Sequence, residues 1–351
     1  MADSLDVISP ASVRRLLIVK PSSLGDIVHA LPTFALLRAR YPDAEISWLV
    51  KSVWASVLER VPGLDRIWRV GPNLSAWLST MAQLRQVGFD LVVDLQGLFR
   101  SGAATWMTGC PIRVGLANAR EGSHLCYTHR VPVPSPDIHA VDRYLLVAQA
   151  LGCPASPVAF PLRATDADRD RVETALVQAG FDRTRPCVAM LTSARWVTKR
   201  WPLASFVTVA QRLREDGVQT IVIGSEADRV DGRTMAGQAG AIDMTGRTSL
   251  AELPALLGRV SCVVTNDSGP MHIAAAVGTP VVALFGPTSP QRTGPYGTGH
   301  HVLGVSLECR PCYSRTCRHG VPLECLTAIS PEHVMGAVSH TLAGQRRMVV
   351  S

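Results

Sequence analysis

The chain has 351 residues, more than the roughly 250–300 at which a single hydrophobic core stops growing, so two domains are expected. Its net charge of +7 comes from 35 Lys and Arg against 28 Asp and Glu, with no polybasic block. The spread of charge and an aromatic content of 5% disfavour a nucleic-acid partner and favour anionic small molecules or an anionic membrane surface.

The first fifteen residues carry charges of both signs and do not read as a signal peptide. No apolar run in the chain reaches the roughly 18 residues of a membrane span. The sequence therefore predicts a cytoplasmic protein, with any membrane contact peripheral.

Short apolar segments alternate with amphipathic segments along the chain. This alternation predicts an α/β fold, in which parallel sheets are flanked by helices. A proline-containing segment, residues 152–165, is the predicted linker, and residues 166–180 are predicted to form a helix that ends at a glycine. The strand candidates are residues 15–20, 45–50, 65–70, 90–95, 112–115, 187–191, 219–224, 261–265 and 280–285.

The first predicted strand ends in a polar turn, residues 21–26, which precedes a helical run at residues 27–40. The turn has one glycine and no Gly-Lys-Ser/Thr, so it is neither a dinucleotide fingerprint nor a Walker loop. It places a carboxylate, Asp26, at the sheet edge where open α/β folds bind ligands. As an alternative, Asp26 caps the helix beginning at Ile27, since aspartate is favoured there.

A second turn of this kind, TNDSGPMH at residues 265–272, lies between an apolar strand and a predicted helix at residues 273–277. The unpaired N–H groups and partial positive charge of a helix start suit a diphosphate. The turn therefore predicts a nucleotide-sugar site. Two such turns, one in each half, predict a cleft between two domains.

Five segments share a pattern with a known family. They are KPSSLGDIVHALP at residues 20–32, DLQG at 94–97, KRWP at 199–202, TNDSGPMH at 265–272 and FGPT at 285–288. In this order they resemble the bacterial lipopolysaccharide heptosyltransferases, glycosyltransferase family 9, over nearly the whole chain. The resemblance implies a GT-B fold of two Rossmann-like domains facing a central cleft. Residues 1–160 would bind the acceptor and residues 161–351 the ADP-sugar, with the last helix packing back on the N-terminal domain.

The resemblance also implies the reaction. Heptose would pass from ADP-heptose to the lipopolysaccharide inner core, either to Kdo-lipid A or to the first heptose, with inversion and without a metal or cofactor. It implies peripheral contact with the cytoplasmic face of the inner membrane. A nucleotide-sugar-binding or epimerase-like GT-B protein without transfer activity is the alternative.

In the first half, the resemblance identifies Asp26 as the general base that takes a proton from the acceptor hydroxyl. Ser23 and Gly25 of the same turn are assigned to the acceptor. Arg120 is assigned to it too, because a guanidinium binds carboxylates and phosphates bidentately. His139 and Arg143, four residues apart on a predicted helix, fit a packing role as well as acceptor contact.

In the second half, Lys199 matches the family position that neutralises the departing ADP, a role that a metal has in other glycosyltransferases. Arg195 and Arg200, close to it in the chain, are expected at the surface. Glu226 and Asp228 follow a predicted strand at the level of the ribose hydroxyls, and the sequence does not choose between them, although Glu226 is the predicted ligand.

Asp267 is expected to accept hydrogen bonds from sugar hydroxyls, because like charge keeps a carboxylate away from a diphosphate. The N–H groups of Ser268, Gly269 and their neighbours in the turn, which include Pro270, are expected to hold phosphate oxygens. His272 either donates to phosphate or is a buried structural residue.

Four of the nine cysteines, Cys309, Cys312, Cys317 and Cys325, lie close together in the sequence with His319 among them. Their spacing fits a zinc knuckle, reduced thiols in a packed loop, or redox pairing. Reduced thiols are the prediction, and no metal site is expected in catalysis. The Cys-Arg-Pro-Cys segment of this cluster resembles family members that add the second heptose. Residues 118–122, which contain Arg120, together with residues 139–143 resemble members that add the first.

Overall fold

The computed structural model describes residues 8–350, with side chains described as far as residue 344. The predicted absence of a signal peptide concerns residues 1–15, of which residues 1–7 lie outside the described part. The chain divides into two compact units, Met1–Arg163 and Ala164–Ser351. Each unit contains one parallel sheet, which gives the predicted α/β fold class.

The first unit has a six-stranded sheet in the order β3-β2-β1-β4-β5-β6. Every neighbouring pair in it is parallel; Leu17 of β1, for example, lies opposite Ser47 of β2 and Val92 of β4. The strands are β1 (Arg15–Val19), β2 (Glu45–Lys51), β3 (Arg66–Val70), β4 (Leu91–Asp94), β5 (Ile112–Leu116) and β6 (His129–Val131). The helices are α1 (Leu24–Arg40), α2 (Ala55–Leu58), α3 (Leu74–Val87), α4 (Phe99–Met107) and α5 (Ala140–Ala150).

The second unit repeats this topology, with the strand order β12-β11-β10-β7-β8-β9 and parallel pairing throughout the described sheet. The strands are β7 (Cys187–Leu191), β8 (Gln219–Val222), β9 (Ile242–Asp243), β10 (Cys262–Asn266), β11 (Val281–Leu284) and β12 (His301–Leu303). The helices are α6 (Asp166–Gln178), α7 (Leu203–Glu215), α8 (Arg229–Ala239), α9 (Leu253–Leu257), α10 (Gly269–Ala276), α11 (Pro290–Thr293), α12 (Glu324–Thr327) and α13 (Pro331–Val350).

Central strands are buried on both faces, which is why they read as continuous apolar runs. Leu16, Leu17, Ile18 and Val19 of β1 are fully buried. In the second unit, Val334 and Val338 of α13 belong to the core that covers the sheet. Contact of this last helix with the first unit stays a prediction.

Both sheets reverse their strand order at one position, between β1 and β4 in the first unit and between β7 and β10 in the second. At such a reversal the connections leave in opposite directions, which opens a crevice at the carboxyl ends of the two strands. We call these two positions the β1/β4 edge and the β7/β10 edge.

Three strands were absent from the sequence prediction. They are β6, β9 and β12, each of three residues or fewer and each at or next to a sheet margin. Such short strands give no apolar run, because little of their surface is buried. Among the described residues no helix combines the length and the apolar character needed to cross a bilayer.

Two helix starts were also predicted too late. Helix α1 begins at Leu24 and not at Ile27, so Ser23, not Asp26, is its N-cap residue. Helix α10 begins at Gly269 and not at Ile273. In both cases the helix includes residues that the sequence prediction assigned to the turn, because glycine and proline within the first turn of a helix resemble turn residues.

Candidate active site

Asp26 lies at the β1/β4 edge, at the third position of α1, and is half-buried. Its Oδ2 accepts hydrogen bonds from the Ser23 backbone N–H at 3.0 Å and from the Ser23 hydroxyl at 2.7 Å. These contacts form a capping box, which satisfies backbone groups at the helix start. Asp26 thus takes part in capping α1, although Ser23 is the N-cap residue. The two hydrogen bonds fix Oδ2 of the carboxylate.

The other carboxylate oxygen faces α5. The Tyr144 hydroxyl lies 3.4 Å from Asp26 Oδ1 and 2.9 Å from the Lys20 ammonium. Lys20 is 2% exposed although it is a lysine. Lys20 is in a segment used for the family resemblance but received no role from the sequence, and Tyr144 was not singled out at all. The residue next to it, Arg143, was named in the sequence analysis, and Arg143 donates to the Tyr144 hydroxyl at 3.4 Å.

The turn after β4 faces the turn after β1. The Ser22 backbone N–H donates to Gln96 Oε1 at 3.2 Å. Asp94 is buried and accepts hydrogen bonds from the Tyr127 hydroxyl at 2.7 Å and from the Gln96 N–H at 2.8 Å. Burial raises the pKa of the Asp94 carboxyl, although these hydrogen bonds oppose the shift. Asp94 therefore holds the turn in shape and is not exposed to a substrate.

The predicted acceptor residues occupy different environments. Ser23 is half-buried and bonded to Asp26, whereas Gly25 is buried in the first turn of α1. Arg120 is exposed, and its backbone N–H donates to Gly97 O at 2.9 Å. The structure thus places all three on segments at the β1/β4 edge.

At the β7/β10 edge, Lys199 and Asp267 form an ion pair, with Lys199 Nζ 2.6 Å from Asp267 Oδ2. The Thr288 hydroxyl donates to the same oxygen at 2.6 Å. Asp267 is 6% exposed. The sequence assigned separate roles to the lysine and the aspartate and did not pair them, and it gave Thr288 no role.

Asn266 anchors the loop that carries Lys199. Its side chain accepts from the Trp201 backbone N–H at 2.9 Å and donates to Thr192 O at 2.7 Å. Asn266 is fully buried at the end of β10. The β7–α7 loop is thereby tied to β10 on both sides of Lys199, which orients the ammonium toward Asp267.

A second cation lies near Lys199. Lys199 Nζ is 4.7 Å from the centre of the Trp196 ring. The guanidinium carbon of Arg315 is 5.2 Å from the centre of the same ring. Cations favour the negative face of an indole ring. Arg315 lies in the cysteine-rich segment and was not predicted as a site residue. Arg195 and Arg200, which were expected at the surface, are exposed.

Helix α10 starts beside this ion pair. Ser268 is its N-cap residue, and Gly269 and Pro270 are its first two positions, all half-buried. The first N–H groups of a helix have no acceptor within the helix, so they point outward toward any anion at this edge. His272, in the same turn of helix, is 6% exposed.

The structure distinguishes the two carboxylates after β8. Asp228 closes a capping box, in which the Ser225 N–H and hydroxyl both donate to Asp228 Oδ2 at 2.7 Å. Glu226 is exposed and pairs with Arg229 at 2.8 Å. Glu226 is therefore the carboxylate accessible to a ligand.

The four clustered cysteines are free thiols; Cys309, Cys312 and Cys317 are exposed and Cys325 is buried. Hydrogen bonds from the backbone of Leu323 and His319 lower the pKa of the Cys317 thiol. His319 pairs with Glu324 at 2.7 Å. Over the part of the chain described here, no three His, Cys, Asp or Glu side chains are grouped so as to hold a metal ion.

Residues 77–321 match the family described as glycosyltransferase family 9 (heptosyltransferase). The chain belongs to this family. The resemblance drawn from its five segments is thereby confirmed, and the protein is a glycosyltransferase.

Known relatives cover nearly the full chain. Lipopolysaccharide heptosyltransferase 1 of Pseudomonas aeruginosa is 32% identical, over 91% of this chain and 96% of that protein. The crystal structure of a family 9 glycosyl transferase from Veillonella parvula superposes with a TM-score of 0.84 at 24% identity, covering 98% of this chain and 99% of that one. The structure of E. coli heptosyltransferase WaaC with ADP-2-deoxy-2-fluoro heptose gives a TM-score of 0.71 at 22% identity, covering 92% and 99%. The predicted GT-B fold is confirmed.

The ion pair at the β7/β10 edge predicts a stability effect. Lys199→Met keeps most of the aliphatic stem but removes the ammonium, so the buried Asp267 carboxylate loses its cation. We expect the free energy of unfolding at pH 7 to fall by about 1–3 kcal/mol in urea denaturation.

Two further variants test the cause. Asp267→Asn added to Lys199→Met should recover most of the loss, because no charge is then left unpaired. Arg195→Met, an exposed cation in the same loop, is the matched control and should change stability by less than about 0.5 kcal/mol. Equal losses at both positions, or no recovery in the double variant, would contradict the pairing.

Proposed function

We propose that this protein transfers heptose from ADP-heptose to the lipopolysaccharide inner core, with inversion and without a metal. The observation that carries the proposal is the Lys199–Asp267 pair beside the start of α10. A cation, a carboxylate and outward N–H groups occur together there. The cation and the N–H groups suit the diphosphate of a nucleotide sugar, and the carboxylate suits the hydroxyls of its sugar. The relatives support the sugar and the acceptor through their names, since one is a lipopolysaccharide heptosyltransferase and one was solved with an ADP-heptose analogue.

The donor is held by complementary charge. The diphosphate lies at the N-terminus of α10, where the N–H groups of Ser268 and Gly269 and the helix dipole favour phosphate oxygens. The Lys199 ammonium moves from Asp267 toward the phosphates, or it contacts Asp267 and the phosphates together. In either position it neutralises charge on departing ADP. Asp267 then accepts hydrogen bonds from sugar hydroxyls, and Glu226 accepts from the ribose.

Pro270 and His272 complete this donor site. Proline pre-organises the first turn of α10, because its fixed φ angle matches the helix and it needs no hydrogen-bond acceptor. His272 lies in the same turn and donates to a phosphate oxygen. Since proline has no N–H group, the other N–H groups of the first turn are the backbone donors to the diphosphate.

The chemical step is a single displacement. Asp26 takes the proton of an acceptor hydroxyl as that oxygen forms its bond to the anomeric carbon. The bond between the anomeric carbon and the diphosphate breaks, and ADP leaves with the electron pair. One displacement inverts the anomeric centre, so one carboxylate suffices and no covalent sugar-enzyme intermediate forms. Ser23, Gly25 and Arg120 bind the acceptor, with Arg120 pairing with its anionic groups.

Asp26→Asn should abolish transfer while leaving ADP binding unchanged. The amide keeps the shape and an acceptor for the Ser23 N–H but cannot take the proton, so we expect turnover to fall by about 100- to 10,000-fold. Initial rates of ADP release with a core-truncated lipopolysaccharide acceptor measure this. Asp43→Asn, an exposed aspartate of the same unit, is the control, and near wild-type turnover in Asp26→Asn would end the base assignment.

Chelation should not affect the rate. Lys199 and the α10 start supply the positive charge that a divalent cation supplies elsewhere, and the chain has no Asp-x-Asp segment at a strand end to hold such a cation. Initial rates with and without EDTA should agree. Loss of activity with EDTA that magnesium or manganese restores would contradict a metal-free reaction.

The cysteine cluster is tested separately by elemental analysis. About one zinc per chain would contradict reduced thiols in that cluster.

A lipid-anchored acceptor requires approach to a membrane, and the first unit has an exposed apolar surface suited to it. Phe99 and Trp106, seven residues apart on one side of α4, are 63% and 62% exposed. Leu125, in a short 3-10 helix (Ser123–Cys126) packed against α4, is 73% exposed. We call these three residues the α4 surface. The bulky exposed residues of the second unit are valines and one tyrosine among those described.

Arginines border the α4 surface. Arg100 is exposed on α4, and Arg85 donates to Met107 O at the end of that helix. Arg120 lies at its other end, where its neighbour Glu121 accepts from the Phe99 N–H. Aromatic side chains with surrounding cations match the interface of an anionic bilayer. The cytoplasmic face of the inner membrane is the proposed partner.

Phe99→Ser with Trp106→Ser should reduce binding to phosphatidylglycerol vesicles in flotation assays by about tenfold or more, because two large apolar side chains no longer enter the interface. Wild-type binding should weaken with added salt and with phosphatidylcholine vesicles. Val230→Ser, at a position of α8 that is 64% exposed, is the matched control. Equal vesicle binding by wild type and double variant would contradict this surface.

A further inference from the structure

Tyr144 is a buried tyrosine whose hydroxyl meets three charged side chains. It is 1% exposed on α5. Its oxygen lies 2.9 Å from Lys20 Nζ, 3.4 Å from Arg143 Nη2 and 3.4 Å from Asp26 Oδ1. Two cations and one carboxylate therefore surround one hydroxyl.

The chemistry of these partners decides the direction of each hydrogen bond. Lysine and arginine have only donor hydrogens, so both can only donate to the tyrosine oxygen. An aspartate carboxylate only accepts, so the tyrosine hydrogen is directed to Asp26 Oδ1. We propose that Tyr144, oriented by Lys20 and Arg143, is a positioning residue that holds the Asp26 carboxylate in the orientation needed for proton transfer.

Lys20 is itself fixed in place. Its Nζ also donates to Leu95 O at 3.1 Å, and it lies 4.8 Å from the centre of the Tyr144 ring. The backbone oxygen of Lys20 accepts from Trp48 Nε1 at 3.2 Å. Lys20 forms no salt bridge within the described residues. Its ammonium is thus committed to the carbonyl after β4 and to the tyrosine hydroxyl.

The two carboxylate oxygens of Asp26 accept hydrogen bonds from different residues. Ser23 donates to Oδ2 from the same helix turn, and Tyr144 donates to Oδ1 from α5. Rotation of the carboxylate about its terminal bond is therefore restricted. A base fixed in its productive orientation reaches the transition state without losing that rotational freedom. This inference rests on the proposed base role of Asp26.

Tyr144→Phe removes the hydroxyl and keeps the ring. We expect kcat for heptose transfer to fall about 10- to 100-fold, as for loss of a hydrogen bond to a charged group, with KM for ADP-heptose within twofold. Tyr41→Phe is the matched control: Tyr41 is also 1% exposed, and it lies fifteen residues beyond Asp26, at the far end of α1, about 22 Å away at 1.5 Å per residue. It should leave kcat unchanged.

Lys20 variants separate positioning from simple packing. Lys20→Met should lower kcat in the wild-type background but add less than twofold in the Tyr144→Phe background, because its effect passes through the hydroxyl. Lys20→Arg, which still donates, should retain most of the activity and replaces Lys20→Met as the decisive variant if the latter does not fold. Unchanged kcat in Tyr144→Phe, or additive losses in the double variant, would overturn the inference. Absence of transfer by the wild-type enzyme would instead overturn the proposed function.

Discussion

Parallel strand pairing is the constraint on which the rest of this structure depends. Because neighbouring strands run in the same direction, all of their carboxyl ends meet at one edge of the sheet. Both sheets place their order reversal in the middle, between β1 and β4 and between β7 and β10. At these two positions, side chains that are distant in sequence therefore meet, such as Asp26 with Tyr144 and Lys199 with Asp267.

Each edge holds a buried or nearly buried cation whose neighbours direct it. Lys199 points at Asp267 because Asn266 ties its loop to β10. Lys20 points at Tyr144 because Leu95 O binds one of its remaining hydrogens. Burial makes such interactions strong and their loss costly, since water does not replace the missing partner. The two edges thus use the same physical device, a cation fixed by its neighbours. In the proposed function the device has two tasks, neutralising charge on departing ADP at the β7/β10 edge and orienting the base at the β1/β4 edge.

The sequence predicted the alternating fold well because central strands of parallel sheets are apolar on both faces. It did not predict β9, a two-residue strand that gives no hydrophobic pattern. The starts of α1 and α10 were placed three and four residues late, since residues of the first helical turn resemble those of a loop.

The candidate site was predictable only where one short segment carried the chemistry. Asp26, Lys199 and Asp267 each stand in a short segment that the sequence identifies by itself. The Lys199–Asp267 pair and the Tyr144 contact join positions 68 and 118 residues apart, and no local pattern reports such a distance. The sequence named Glu226 as the ligand without a reason to prefer it to Asp228; the structure supplies one, because Asp228 is bonded to Ser225 in a capping box.

The product of a single reaction is the most direct test of heptose transfer with inversion. The protein is incubated with ADP-heptose and a core-truncated lipopolysaccharide, and nuclear magnetic resonance of the purified product gives the anomeric configuration of the new sugar. We expect one added heptose with a configuration opposite to that of the donor. A product with retained configuration, or release of ADP and free heptose with no sugar on the acceptor, would contradict it.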